Sequence, residues 1–151
     1  MNGGGAGSTG AGKGTVDNTK SAIGRERDRL VGQLKKSFPD KFKATIKEKD
    51  GKTRTITIEV KEKDYKHIVN DSLNRKIVPT SKLNKLSKQI KNTYCRKSSD
   101  LYKNRTDKID KFYYLKVRGR KLYFNIARYK HKSKNEVYYT YRLHAITKRC
   151  R

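Results

Sequence analysis

The feature that most constrains the fold is an aromatic and β-branched block between residues 112 and 146. It contains three apolar or alternating stretches separated by short polar turns. The stretches are residues 112–117, 122–127 and 137–146. Consecutive strands joined by short turns pair as an antiparallel meander. The block therefore predicts a three-strand meander with one face packed on helices and the other able to face a ligand.

The first half of the chain predicts helices and one hairpin. Residues 20–37 carry apolar side chains at helical spacing, and residues 64–73 predict a second, short helix. Alternating segments on either side of Asp50-Gly51 predict a β-hairpin. Residues 82–95 predict a third helix, with Thr80 or Ser81 as its cap, and residues 96–111 a loop.

Together these segments predict an α+β fold, in which N-terminal helices pack on an antiparallel sheet of four to five strands. Residues 1–19 are rich in Gly and Ser and predict a flexible linker, followed by a single domain over residues 20–151. The segment Gly7–Thr15 matches a phosphate-binding loop, but no buried strand leads into it, so we interpret it as part of the linker.

Two further features bear on location and redox state. No apolar run is long enough to span a membrane or to serve as a signal peptide, so we expect a cytosolic chain as it stands. Cys95 and Cys150 lack metal-binding spacing. They are expected as two free thiols, with a disulfide left open as the alternative.

The charge of the chain indicates its partner. Lys and Arg number 40 against 14 Asp and Glu, giving a formal net charge of +26. A surplus this large favours binding of a polyanion, with an affinity that falls steeply as salt rises. The alternative is a solvated basic surface without a ligand. We expect a polyanion, and RNA in particular.

The pattern of chemically active residues favours RNA as a substrate. The sequence contains no HExxH, no paired Cys/His set and no cluster of acids suited to Mg²⁺, so no metal is expected. RNA supplies its own nucleophile, the 2′-hydroxyl. Cleavage therefore requires only a base, an acid and cationic donors around the phosphate.

Candidate residues lie at positions 66–67 and in the last third of the chain. His67 and His144 are of the one residue type that titrates near neutrality without help, whereas His131 is expected to be exposed in a Lys-rich turn. Thr140 and Arg142 share strand parity with His144, so the three are expected on one face, opposite Tyr139, Tyr141 and Leu143. The candidate catalytic residues are His67, Thr140, Arg142 and His144. The candidate RNA-binding residues are Lys66, Arg118, Arg120, Arg128, Lys130 and Tyr139.

Each assignment has a structural alternative. His67 precedes Ile68 and would also suit a half-buried helical position with one hydrogen bond. Arg142 would equally suit a surface salt bridge. The tyrosines of the last strand are more often sheet packing than stacking platforms for bases.

The order of these motifs resembles the barnase–EndoU–colicin–RelE group of metal-independent ribonucleases. The similarity rests on Lys66-His67-Ile68, a central helix and a final meander that ends in Tyr139-Thr140-Tyr141-Arg142, and covers about residues 25–147. In this resemblance His67 matches the early acid/base histidine, and Thr140 and Arg142 match the late phosphate-holding positions. His144 has no firm counterpart.

The resemblance implies a biological setting as well as an activity. Many members are C-terminal toxin domains of contact-dependent growth inhibition and other polymorphic, antibacterial toxin systems. It implies an endoribonuclease that acts on RNA, with tRNA as the first candidate, in the cytoplasm of a target cell after delivery by a larger secreted protein. An acidic immunity protein that covers the basic cleft would be its partner.

Two other hypotheses remain open at this stage. A non-catalytic nucleic-acid-binding protein, ribosome-associated or architectural, would share the charge and the aromatic residues but need neither His67 nor His144. A DNase would require added Mg²⁺ for cleavage.

Overall fold

A computed structural model describes residues 15–100 and 108–149 of the chain. These residues form three α-helices, a short 3₁₀ helix (Thr80–Lys85) and one six-stranded sheet. The helices are α1 (Thr15–Ser37), α2 (Glu62–Arg75) and α3 (Leu86–Ile90). The strands are β1 (Lys41–Lys47), β2 (Thr53–Glu59), β3 (Thr93–Asp100), β4 (Ile109–Val117), β5 (Tyr123–Ser133) and β6 (Glu136–Thr147).

The strands follow the order β1-β2-β6-β5-β4-β3. Strands β3 to β6 form a continuous antiparallel meander, and β1 and β2 form an antiparallel hairpin. The hairpin joins the meander through a short parallel contact between β2 and β6. Cα atoms of β1 and β3, at opposite ends of the sheet, come within 8 Å of each other. The sheet is therefore strongly curled, as twisted sheets of this size tend to be.

The main core lies on the inner face of the sheet, between the strands and the helices. Helix α1 contributes Leu30 and Leu34, which are four residues apart and share one face, and Phe38 follows directly after the helix. The Tyr65 hydroxyl of α2 donates a hydrogen bond of 2.9 Å to the Phe38 carbonyl, fixing the two segments together. Strand side chains that complete this core include Ile46, Ile58, Tyr113, Leu115, Phe124, Ile126 and Leu143.

The outer face of the meander carries a second, smaller apolar cluster. Its buried members are Ile109, Phe112, Tyr114 and Ala127, with Tyr123 and Tyr129 packed against them. The meander is therefore apolar on both faces near β4 and β5. The helices pack on the inner face, where the main core lies, so the outer face is the one that a ligand could approach.

A discontinuity between β2 and β6 positions the candidate site. The two strands pair only through Ile58 with Tyr141 and Glu59 with Arg142. The chain then leaves β2, and α2 packs beside the rest of β6. Asp64 secures the start of α2, because its carboxylate accepts a hydrogen bond of 2.8 Å from the Lys61 amide.

A network of polar side chains ties the β1–β2 hairpin to the meander. The Tyr113 hydroxyl donates a hydrogen bond of 2.8 Å to Glu48, and Arg54 donates one of 2.7 Å to the Tyr141 hydroxyl. Burial, and secondly the bond to Glu48, raises the pKa of Tyr113 above its usual value. Tyr113 therefore stays a neutral donor well into the alkaline range.

The sequence-based fold prediction is confirmed in class and in most of its elements. The structure contains the hairpin around Asp50-Gly51, α1, α2 and the C-terminal meander. Helix α1 begins at Thr15 rather than at residue 20. The phosphate-loop-like residues 7–14, like Cys150, lie outside the described residues. No helix among the described residues is long and apolar enough to cross a membrane.

The prediction was wrong at residues 91–100 and 109–111, and residues 101–107 of the predicted loop lie outside the described residues. The helical segments end at Ile90, and Tyr94 belongs to β3, where it pairs with Lys116. Pro79, not Thr80 or Ser81, precedes the 3₁₀ helix, and no side chain caps it. Strand β3 is an edge strand with charged and hydroxyl side chains. Such strands lack the apolar alternation by which strands are recognised.

The count of strands and one turn also differ. The sheet has six strands rather than four or five, and it is mixed because β2 and β6 run parallel. Strand β5 continues to Ser133, so His131 lies on a strand and the turn is made by Lys134 and Asn135.

Candidate active site

A cavity of about 510 Å³ opens between α2 and the second half of β6. His67 from α2 and His144 from β6 both line it, and their ring centroids are 6.3 Å apart. The His67 side chain is half exposed, and His144 is partly buried. The structure thus brings together two of the three histidines from distant parts of the chain.

Helix geometry holds His67 at this cavity. Asp64, His67 and Asp71 are three and four residues apart, so they share one face of α2. On the adjoining face of the helix, Tyr65 and Ile68 are buried in the main core. His67 Nε2 lies 3.3 Å from Asp71 Oδ2, so a carboxylate one turn away orients the imidazole.

A β-bulge directs His144 towards the same cavity. Asn125 pairs with Ala145, whereas the next residue of β5, Ile126, pairs with Leu143. His144 is therefore the extra residue on β6, and bulges of this kind re-aim a side chain. The His144 ring packs against Phe112 of the outer cluster, with centroids 5.0 Å apart.

Cations surround the two histidines. Arg75 at the end of α2 and Lys148 and Arg149 after β6 line the cavity and are exposed. Asp71 is the one acidic residue in the lining. Within residues 15–100 and 108–149 none of these three cations forms an ion pair, so their charge is available to an anion.

Asn125 of β5 also lines the cavity, and sequence analysis did not single it out. It is 5% exposed, and its Nδ2 has no hydrogen-bond partner among the described residues. An unpaired buried donor costs about 1–3 kcal/mol. A ligand oxygen reached by rotation of the amide would recover that cost. The signal in the sequence was a single amide within the apolar run at residues 122–127.

Arg142 lies beside the cavity but not in its lining. Its guanidinium Nη2 donates hydrogen bonds of 3.0 and 3.1 Å to the two carboxylate oxygens of Asp64. The guanidinium also lies 5.3 Å from the ring centroid of Tyr129. The side chains of Arg142 and Asp64 are 15% and 9% exposed, respectively. The salt-bridge alternative therefore describes Arg142 better than direct phosphate contact.

Thr140 belongs to a separate cluster on the β5–β6 hairpin. Its Oγ1 lies 2.7 Å from His131 Nε2. The His131 ring in turn stacks on Tyr138 at 4.8 Å, with the two planes 12° apart. Thr140 shares the outer face with Arg142, as parity predicts, but it does not line the His67 cavity.

The predicted RNA-binding residues are spread over the surface, and none of them lines the cavity. Arg128 is held internally by two hydrogen bonds of 2.9 Å to Asp110, and it stacks on Tyr139 at 4.2 Å. Burial is the largest single influence and lowers the pKa of Arg128, but the hydrogen bond to Asp110, together with the charge interactions with Tyr113, Asp110 and Tyr139, outweighs it and raises the pKa. Arg118 lies over Tyr94. The other three, Lys66, Arg120 and Lys130, are exposed.

Among the described residues, no group of three or more His, Cys, Asp or Glu side chains is arranged to hold a metal ion. Cys95 lies partly buried on β3 and packs against the main core.

Comparison of the chain with protein-family models, with curated proteins and with solved structures gives no match in any of the three. The site must therefore be interpreted from its own geometry.

Proposed function

We propose that the protein is an endoribonuclease in which His67 and His144 act as the acid and base. The observation that carries this proposal is the pair of imidazoles, 6.3 Å apart, that line one cavity rimmed by cations. Imidazole is the side chain best suited to move protons near neutral pH. Two of them at one phosphate suffice for RNA cleavage without a metal.

The proposed reaction is transesterification. One imidazole takes the proton of the 2′-hydroxyl as that oxygen bonds to phosphorus. The other gives a proton to the 5′-oxygen as the P–O5′ bond breaks. The products are a 2′,3′-cyclic phosphate and a free 5′-hydroxyl, and atoms and charge balance without an oxidant or cofactor.

The negative charge that builds up on the phosphate needs cationic support. Arg75, Lys148 and Arg149 are exposed at the cavity and have no ion-pair partner in the described part of the chain. Positive charge at the place where anionic charge develops favours the transition state. The role first expected of Arg142 and Thr140 therefore passes to these residues.

Arg142 supports the site indirectly. Its ion pair with Asp64 joins β6 to the first turn of α2, and His67 is on the next turn. The bond thereby sets the position of one imidazole relative to the other. We propose a positioning role for Arg142.

The resemblance to the barnase–EndoU–colicin–RelE group suggests a biological role. We propose that the chain is a toxin domain that cleaves tRNA in the cytoplasm of a target cell. Its partner is an acidic immunity protein that covers the cationic cavity. The net charge of +26 supports fast capture by such a partner.

The test is cleavage of total tRNA in the presence of EDTA. We expect fragments that end in a 2′,3′-cyclic phosphate and a bell-shaped pH–rate profile. His67→Ala and His144→Ala should each lower the rate by about 100-fold or more while RNA binding is retained. His131→Ala, which changes the third histidine outside the cavity, is the matched control and should stay active.

Undiminished cleavage by the His67→Ala/His144→Ala double variant would contradict the proposal. Intact RNA with tight, salt-sensitive binding would favour the non-catalytic alternative, which the charge of the chain supports equally. Cleavage of DNA only after addition of Mg²⁺ would favour a DNase.

A further inference from the structure

Two more surface depressions lie next to the cavity that holds the histidines. The first, of about 620 Å³, shares Lys148 and Arg149 with the cavity and extends to Lys121. The second, of about 390 Å³, shares Lys121 with the first and Ile77 with the cavity. Shared lining residues therefore join all three depressions into one continuous surface, which extends from the end of α2 to the β4–β5 turn and the 3₁₀ helix.

Cations line the two added depressions, and no acid among the described residues does so. Their cationic side chains are Lys82, Lys85, Arg96, Lys97, Arg120, Lys121, Lys148 and Arg149. We call these eight residues the basic track. All are exposed, and within the described part of the chain none of them forms an ion pair.

We propose that the basic track binds the phosphate backbone of an RNA strand that continues out of the histidine cavity. This placement rests on the proposed function, because that function sets where the cleaved bond lies. Three adjoining depressions suit a chain with regularly spaced negative charges better than a compact anion, which would occupy one of them. Tyr123 lies among the cations of the middle depression and offers an aromatic ring to a base.

The contrast with the rest of the surface supports this direction. On the opposite side of the cavity, towards the tip of the β5–β6 hairpin, Arg128 and Arg142 are already bound to Asp110 and Asp64, respectively. An RNA strand there would have to compete with internal carboxylates. Along the basic track it meets cations that have no ion-pair partner among residues 15–100 and 108–149. The track therefore predicts that most RNA contacts lie on the Lys148–Lys121 side.

The test measures binding in a background where cleavage is removed by His67→Ala and His144→Ala. Lys121→Ala/Lys148→Ala/Arg149→Ala removes three charges from the track. Lys43→Ala/Lys47→Ala/Lys52→Ala removes three exposed charges from the β1–β2 hairpin and is the matched control. Both triple variants are first checked for an unchanged urea midpoint.

For a 12-nucleotide single-stranded RNA, we expect the track variant to bind about 10- to 100-fold more weakly at low salt. Its plot of log affinity against log salt should be less steep by about 2, because each lost phosphate contact removes about 0.7. The control should change affinity less than about threefold. Equal losses in both triple variants would overturn the proposal.

RNA length tests how far the strand extends along the track. Lys82→Ala/Lys85→Ala/Arg120→Ala changes the depression at the 3₁₀ helix, so it should weaken binding of the 12-mer more than binding of a trinucleotide. Unchanged RNA binding by all track variants, with loss of binding to polyglutamate, would overturn the proposal and assign the track to an acidic protein. Because binding is measured without cleavage, an inactive wild type would refute the proposed function but leave the track to be judged by itself.

Discussion

Two groups of cations lie within one protein and behave differently. On the β5–β6 hairpin, Arg128 and Arg142 are partly buried, and each is bound to a carboxylate. At the cavity, Arg75, Lys148 and Arg149 are exposed, and no carboxylate among the described residues holds them. The first group stabilises the fold, and the second is available to a ligand.

The difference follows from the cost of burying charge. A guanidinium removed from water needs a partner, whereas an exposed one retains its hydration and gains little from an ion pair. A net charge of +26 therefore does not indicate which cations are available to a ligand. Burial decides this, and it separates residues that are equal in the sequence.

The largest expected effect comes from the first group. Arg142→Ala leaves Asp64, which is 7% exposed, as a buried carboxylate without its cation. We expect the free energy of unfolding to fall by about 3–5 kcal/mol, measured by urea denaturation. Arg142→Ala combined with Asp64→Asn removes both charges and should recover part of the loss. A fall below about 1 kcal/mol would mean that the pair is not essential to the fold.

A smaller effect is expected at the polar network. Tyr113→Phe removes the hydrogen bond to Glu48 and should cost about 1 kcal/mol at neutral pH. Because the folded state raises the pKa of Tyr113, its stabilising contribution is complete below about pH 10 and declines as the pH rises towards the folded-state pKa. The variant should therefore lose less stability than the wild type between neutral pH and the alkaline range.

The control for this change is Tyr138→Phe, which alters an exposed hydroxyl and keeps the ring that stacks on His131. Urea midpoints measured from pH 7 upwards compare the two. If both variants show the same alkaline slope as the wild type, Tyr113 does not couple stability to pH.

The smallest effect on stability is expected from the exposed cations at the cavity. Arg75→Ala should change the free energy of unfolding by no more than about 0.5 kcal/mol, since its side chain is exposed. Cleavage should nevertheless slow by roughly tenfold, because one cation at the cavity is lost. Arg25→Ala, an exposed arginine on α1, should alter neither. Equal cleavage by both variants would remove Arg75 from the site.

Much of the fold could be predicted because its signals are local. Asp50-Gly51 between alternating strands specifies a hairpin, and the short turns of the last third specify neighbouring strands. Strand β3 was not predicted because a strand at the sheet edge can carry polar side chains, as this one does. The parallel contact between Ile58 and Tyr141 has no local signal at all.

The site could be predicted only in part, because only some of its signals are local in the sequence. His67 and His144 are each candidates from residue type alone, and the shared face of Thr140 and Arg142 follows from strand parity, but neither signal pairs the two histidines. Parity cannot show that a bulge redirects His144, nor that Asp64 reaches Arg142. Lys148 and Arg149 were not singled out as ligands, because their importance depends on where α2 packs.

The short contact between β2 and β6 has a consequence for the order of assembly. The ion pair between Asp64 and Arg142 joins residues 78 positions apart, and such distant contacts form late because a long loop must first close. Until the last strand docks, His67 has no opposing imidazole and the cavity has only one wall. Completion of the sheet and appearance of the site are therefore a single event, and a nascent chain that lacks β6 carries only half of the chemistry.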